Sequence, residues 1–547
     1  MSTADLPQYY PNNLIPLDIN KETLKSALKE LQVAVNRGAT LLQEACPPQS
    51  EWGKPYNTGL YVGFPVIRYI THFGKSNLIT FPLTGIALAF LRLDHQVKAF
   101  SNKEVGLPLD FRRLASEQII PHGPDIPLLP ERVAPFGSPS VLVGPLMRIL
   151  AAAQSGASMS EADIECLRSV VQVAIGNDYM LPHGDGMMGT DEVLYGRAGL
   201  LWAVLSVRAH KYDEGATGLL TSIFESVPDL VDAIIKGGLQ GRDDYVEEYG
   251  ERGALPLMWH WHEDRYGLGA VHGMSGILAA LLACDPEELN DGASRNYLPL
   301  IAETITGLCK ICIAHNGHLP TNLPNRGPSS KRTSPLVQIC HGSPGILTLM
   351  ASARRNKPLI TGFWQPEWDV AIRLASERVW EEGLLSKGGG ICHGITGNAW
   401  PLLLLHDSFE YDKEEMQAAR ERYMEREQIT SATVLDTGLT GDYFLSRALA
   451  LMLHARETPP YHSSDTPTSN IYRLPDRPFS LTEGLAGIVC AWSDTCVSVQ
   501  MRLQSMLLRE KWPHSSASLK TDPTFQELES LRLGIPTLAY HRAAALP

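Results

Sequence analysis

Five times along this 547-residue chain, two glycines three positions apart stand at the head of an apolar run. The copies are "YGRAGLLWAVL" (Gly196, Gly199), "HGMSGILAALL" (Gly273, Gly276), "HGSPGILTLM" (Gly342, Gly345), "HGITGNAWPLLLL" (Gly394, Gly397) and "EGLAGIVCAW" (Gly484, Gly487). Two weaker copies lie upstream: "TGLYVGFPVIRYI" has Gly59 and Gly63, and "SVLVGPLMRIL" keeps Gly144 with Val141 at the other position. The pattern predicts a turn feeding a helix, with the first glycine supplying a positive φ and the second letting the helix start close to its neighbours. A helix that is apolar nearly all round is buried on every side. Between the copies run amphipathic stretches such as "KETLKSALKELQVAVNRGATLLQEA" and "EWDVAIRLASERVWEEGLL", with apolar residues at helical spacing. Seven buried helices alternating with seven amphipathic ones predict an all-α fold, an α/α toroid of two concentric layers. Strand signals are nearly absent. One domain then covers 1–547, with an insertion at about 408–446 and a Pro-rich loop region at about 101–140.

Charge removes several alternatives. The formal net charge is −13 with no basic run to offset it, which argues against a nucleic-acid partner. No stretch approaches about 18 uninterrupted apolar residues, so no transmembrane segment is expected. The first residues lack a secretory signal pattern and Gly is not second, so neither export nor myristoylation is expected. Nine scattered cysteines suit a reducing, cytoplasmic setting.

If all inner helices start at one face, the residues before each first glycine gather around one mouth. They are Tyr195, His272, Cys340 with His341, Cys392 with His393, and Thr482 with Glu483. A pre-helical loop has no fixed period, so adjacent Cys392 and His393 are both able to turn inward. Helix N-termini favour thiolates and anions there. Cys340, Cys392 and His393 with an open fourth position would form a catalytic zinc set. Taken singly, each cysteine is as readily a small buried residue. Cys309 and Cys312 in "LCKIC" fall inside a helical pattern and read as core, and His260 and His262 in "WHWHEDR" as residues lining the mouth.

The ordered blocks "LYGRAG", "GAVHGMSGI", "QICHGSPGI", "KGGGICHGITGNAW" and "RPFSLTEGLAGI" resemble the eukaryotic LanC-like (lanthionine synthetase C-like) proteins, relatives of bacterial lantibiotic cyclases. The resemblance implies the same toroid, with zinc on Cys340, Cys392 and His393 and an acid/base role for His272. It also implies that His341, where bacterial cyclases have Tyr, marks a glutathione-using branch, and that Lys387 and Arg473 contact glutathione. Glu192 and Arg197 join the candidate catalytic set, either supporting the site or forming a simple helix-end ion pair. Ile339 stands where the family usually has Trp, and Gly388-Gly389-Gly390 suggest a more flexible, roomier substrate side.

The chemistry expected is zinc-dependent addition of a thiol to dehydroalanine or dehydrobutyrine in a protein or peptide, glutathione being the thiol. His272, held neutral near pH 7 by zinc and helix dipoles, would move the proton. One alternative is a non-catalytic zinc- and glutathione-binding interaction protein. Another is a lanthionine-forming cyclase or natural-product pathway enzyme. A prenyltransferase subunit or an α/α-barrel glycosidase fits less well, because each wants carboxylates at the mouth.

Overall fold

What fixes this architecture is the path of the backbone into each inner helix. The structure is a computed structural model that describes residues 6–46, 48, 66–70, 76–80, 84–101, 109–120, 127–210, 212, 214–325, 334–429, 438–462, 471–512 and 517–538. Among them, seven helices close a ring by contacting one another in order: α2 (Thr84–Phe100), α4 (Val143–Ser155), α6 (Arg197–Arg208), α9 (Met274–Leu281), α12 (Ser343–Arg355), α15 (Ile395–Tyr411) and α18 (Leu485–Lys511), which returns to α2. An outer layer wraps it, comprising α1 (Lys21–Ala45), α3 (Phe111–Gln118), α5 (Glu161–Gly176), α8 (Val227–Tyr249), α11 (Leu298–Ala314), α14 (Pro366–Glu382) and α17 (Gly441–His454). Shorter helices fill the connections: α7 (Glu214–Phe224), α10 (Pro286–Leu289), α13 (Lys357–Phe363), α16 (Lys413–Arg426), α19 (Ala517–Thr521) and α20 (Pro523–Ser530). The all-α toroid expected from the repeats is the fold.

The two layers differ as their sequences require. All of α9 is buried, and so is α15 from Ile395 to Glu410. The outer helix α1 is amphipathic, capped by the Asn20 side chain, which accepts from Thr23 N–H at 2.9 Å, and it buries Leu24, Leu31, Val35 and Leu42 as it packs on α18.

The glycine pairs work differently from the expectation. Of the five first glycines only Gly342 lies in the left-handed φ range, at +119°, and Gly273 at 174° is extended. The other four, Gly196, Gly273, Gly394 and Gly484, are at −104°, 174°, −140° and −122°. What both members of each pair share is a backbone group six residues earlier lying against Cα. A Cβ on Gly199, Gly276, Gly397 or Gly487 would sit 2.0, 1.7, 1.7 or 1.9 Å from the carbonyl oxygen of Val193, Ala270, Ile391 or Leu481. The chain thus folds back over the first turn of its own helix, and a side chain there would collide with backbone.

These folded-back turns are joined in series by backbone hydrogen bonds. Val193 N–H donates to Val271 O at 3.2 Å, Ala270 N–H to Ile339 O at 3.1 Å, Cys340 N–H to Cys392 O at 3.4 Å, and Cys392 N–H to Thr482 O at 2.8 Å. The relay runs around the mouth from the turn before α6 to the turn before α18.

Several expectations change. The glycines of the first weak copy lie outside the described residues. Its apolar run is strand β2 (Val66–Ile70), antiparallel to β3 (Ser76–Thr80), and the inner helix of that repeat is α2. Three further two-stranded ribbons pair β1 (Tyr9–Tyr10) with β8 (Leu384–Leu385), β4 (Met180–His183) with β5 (Gly186–Gly189), and β6 (Tyr266–Gly267) with β7 (Asn322–Leu323). The span 408–446 begins in α15 and ends in α17, so only α16 and its flanks stand outside the two layers; 430–437 lie outside the described residues. Within 101–140 the described part holds α3 and irregular backbone.

Gly276→Ala should cost roughly 3 kcal/mol or more in chemical denaturation, because its Cβ meets backbone. Gly144→Ala should be near neutral, since that Cβ would meet only the Arg148 guanidinium at 3.0 Å. Equal losses at the two positions would rule out the folded-back turn as the reason for the glycines.

Candidate functional site

Cys392 is placed by its main chain. Its N–H and C=O are both engaged in the relay, to Thr482 and Cys340, so its side chain and that of Cys340 leave adjacent turns at one point of the mouth. His393 comes next, in the turn that ends at Gly394 and opens α15. The ligating atoms of Cys340, Cys392 and His393 all lie within 4.8 Å of one another. Both cysteines are buried.

The thiols share a hydrogen bond. It holds the Cys340 thiol below its ordinary range against the opposing effect of burial, helped by the Lys387 charge and by the Gln338 amide, which donates to Cys340 Sγ at 3.2 Å. Cys392 is pushed the other way, by that bond and then by burial. For His393 burial is the largest effect and acts downward, but the hydrogen bond and charge of Cys392, with the Glu483 charge, together outweigh it and the imidazole is raised. A cluster of two thiols, one of them lowered by its neighbours, and an imidazole is a soft cation site. Donors around a tetrahedral zinc, about 2.0–2.3 Å from the ion, stand roughly 3.5–4 Å from one another, so the three residues fit zinc and leave one position for a further ligand.

Beside the cluster, His272 Nδ1 meets Glu192 Oε2 at 2.6 Å. Burial pulls this imidazole down, but the charge and hydrogen bond of Glu192 outweigh it and raise His272 above its ordinary value. Glu192, buried at its side, thus favours the charged form and acts against the neutral imidazole that zinc and the helix dipoles are expected to favour. The ring is stacked on His341 (centroids 5.2 Å, 22°) and on Trp261 (5.1 Å, 29°). Trp261 is set by β5, since Gly189 N–H donates to Trp261 O at 3.3 Å.

The other sequence candidates fall in three groups. Lys387 and Arg473 are brought together, because Arg473 N–H donates to Ser386 O at 2.8 Å; Lys387 is exposed, and the Arg473 guanidinium has Asp476 at 3.5 Å. Arg197 is elsewhere. It is buried against Asp191, Nε to Oδ1 2.8 Å, with Thr190 and Asp178 O as further acceptors, and so forms the helix-end ion pair without touching Glu192. Tyr195 lies under the Arg132 guanidinium, 3.8 Å from its ring centre. Glu483 pairs with Arg477 at 3.4 Å, and Thr482 serves through its carbonyl.

Cys309 and Cys312 are fully buried in α11, Cys309 against Met350 Sδ at 3.7 Å. His260 is held by Asp244 at 3.0 Å and by the Tyr266 ring. Nor do the three glycines make the site roomier. A Cβ on Gly389 would be 2.5 Å from Thr458 Oγ1, one on Gly390 2.3 Å from Glu483 O, and Gly388 takes φ +100°. They are tight packing positions. Sequence reasoning did not single out Gln338 or Trp261; the signals were a polar residue two before Cys340 and the aromatic between the two histidines of "WHWHEDR".

A closed toroid of paired helices, with a thiol-imidazole cluster at the mouth formed by its inner N-termini, defines the class of protein. Residues 140–445, more than half of the chain, match the family model for lanthionine synthetase C-like protein, and the chain belongs to that family. It is 29% identical over 244 residues to "Glutathione S-transferase LANCL1" of Danio rerio, covering 44% of this chain and 52% of the relative. It is likewise 29% identical over 272 residues to "LanC-like protein GCL1" of Arabidopsis thaliana, covering 49% and 55%. The matches thus span about half the length of either relative. Among solved structures, nisin cyclase is similar at 13% identity and a TM-score of 0.32, with 65% of this chain and 87% of that one covered. Among the described residues no helix is long and apolar enough to cross a membrane.

If Cys340, Cys392 and His393 hold zinc, metal analysis of the purified protein should give about one ion per chain, and Cys392→Ala should lose most of it. Full retention would remove Cys392 from the site.

Proposed function

We propose that the protein binds zinc through Cys340, Cys392 and His393 and adds the thiol of glutathione to dehydroalanine or dehydrobutyrine side chains in proteins or peptides. The observation that carries this reading is the pairing of a three-donor, metal-competent cluster with a His272–Glu192 dyad in the same mouth. The name of the 29%-identical relative, a glutathione S-transferase, supports glutathione as the thiol. A bound zinc would supply an acidified thiol at neutral pH.

The chain's own residues account for the rest. Lys387 and Arg473, adjacent through the Ser386 hydrogen bond, offer two cations for the two carboxylates of the tripeptide. The faces of Trp261 and His341 fix the plane of His272, and Glu192 holds Nδ1, leaving Nε2 as the nitrogen that exchanges a proton. As the sulfur–Cβ bond forms, the C=C π pair moves onto the dehydroamino acid as an enolate. His272, favoured as imidazolium, gives its proton to Cα and is recharged by the proton that the incoming thiol surrenders. Glu192 positions and electrostatically supports that charge. The reaction needs reduced cysteines, and all nine are free thiols, which suits a reducing, cytoplasmic setting.

Incubation with glutathione and a dehydroalanine peptide should give the adduct mass, and His272→Asn should retain zinc and glutathione while losing on the order of 10²–10⁴-fold in rate. Binding of both ligands without any adduct would establish a binding module instead. Loss of zinc from His272→Asn would make that residue a ligand.

Glu192→Gln removes the charge that raises His272. Activity that depends on imidazolium is present below its pKa and falls as pH rises through it. The descending limb of the pH–rate profile should therefore move to lower pH in Glu192→Gln. An unmoved limb would mean that another group donates the proton.

A further inference from the structure

At the opposite face, roughly 20 Å along α15 from its N-terminal turn, a cavity of about 500 Å³ opens between the end of α15, α16, the start of α17 and the middle of α18. Among the described residues its walls carry Arg354, Lys413, Arg420, Arg502 and Arg509 against only Glu410 and Asp442.

The cations are short of partners. Arg502 Nη1 (2.5 Å), Arg509 Nη2 (2.6 Å) and Lys413 Nζ (3.2 Å) all converge on the single buried carboxylate of Glu410, and Arg502 also reaches Asp442 at 2.8 Å. Arg354 and Arg420 share Asp369 behind the wall, at 2.7 and 3.4 Å. Among the described residues, five cations thus meet three carboxylates, an excess of two positive charges around one concavity. Arg502 is only 6% exposed, yet its Nε–H has no acceptor among the described residues; the buried Arg420 Nε–H has none either. Buried guanidinium donors without acceptors are costly unless something fills the space beside them. The first residues of α17, Thr440, Gly441 and Asp442, line the same cavity and add the positive end of a helix.

We propose that this cavity binds a small phosphomonoester. The two-charge excess matches a phosphate dianion, and arginine forks are the side chains suited to phosphate oxygens. The volume falls in the range of small-molecule sites, about 300–1,000 Å³, and exceeds what a bare phosphate needs. Phe409, Met416 and Leu439 give the organic part an apolar wall. Arg354 supplies field but not a contact, being locked by Asp369, by Ser408 Oγ at 3.0 Å and over the Phe409 ring at 3.6 Å. Because α16 provides Lys413, Met416 and Arg420, the helix that stands outside the two layers builds one side of the site.

The test is calorimetric titration of the full chain with AMP, glucose 6-phosphate, inorganic phosphate and the unphosphorylated parents, at ionic strength matched with chloride. At least one phosphomonoester should bind saturably and more tightly than its parent. Arg420→Gln/Arg509→Gln should weaken it at least tenfold, with the unliganded melting temperature nearly unchanged. Asp442→Asn, which removes one opposing charge, should strengthen it several-fold, a gain that misfolding does not mimic. The proposal fails if no phosphomonoester binds beyond the chloride control, if inorganic phosphate binds as tightly as the esters, or if the double variant binds unchanged.

Discussion

The contact on which this molecule depends is a carbonyl oxygen lying on a glycine Cα six residues later. It forces the chain to double back over the helix it is about to enter, which brings each turn's edge within reach of the next. Val193, Ala270, Cys340 and Cys392 then donate in sequence to the neighbouring turn. Backbone donors and acceptors that would otherwise be buried without partners are thereby satisfied. The inner helices can be buried nearly all round, because their polar problem at the N-terminal end is solved by the relay. Function rests on the same constraint, since every pre-glycine residue is delivered to one rim.

Electrostatics at that rim separate the two roles chemically. The thiol pair shares a hydrogen bond, with Cys340 held low by that bond and by the Lys387 charge. Elsewhere on the rim, the buried Glu192 carboxylate pushes His272 upward. One part of the mouth is thus poised to lose a proton while its neighbour is poised to hold one. The stack of Trp261, His272 and His341 keeps the imidazole from rotating away from Glu192. The proposed thiol addition would use this asymmetry, which comes from burial and neighbouring charge without unusual side chains.

The sequence made the inner helices, their common face and the Cys340–Cys392–His393 cluster legible, because glycine pairs and pre-helical positions are local patterns. Partners set by the path of another turn were not legible. Asp191 and Glu192 are adjacent, yet one turns to Arg197 and the other to His272 on the next repeat, a choice that depends on how two turns align. Positive φ is what the pattern suggests for the first glycine of each pair, whereas the shared cause is a carbonyl whose approach no residue type announces. The three glycines 388–390 misled for the same reason. Flexibility is what a glycine run suggests in isolation, and Thr458 and Glu483, both distant in sequence, turn it into tight packing. The first copy differs because its apolar run, Val66–Ile70, is short and rich in β-branched and aromatic residues and pairs as a strand.

Neighbours in sequence serve one centre here for a backbone reason. Neighbouring side chains diverge in a strand because the backbone there is extended, and in a helix because each residue turns about 100°. Cys392 is in neither. Its N–H and C=O are held by Thr482 and Cys340, so the relay sets its side-chain direction independently of the residue after it. Beyond Cys392 the chain must turn sharply, because Gly394 lies against Gly390 N and Gly388 O, at 2.4 and 2.6 Å from where a Cβ would be. His393 occupies that sharp turn and is swung back toward the residue before it. Cys340 joins from the side, through the hydrogen bond that fixes Cys392. Three donors converge because two turns are pinned to each other, and the glycines on either side are what permit the pinning.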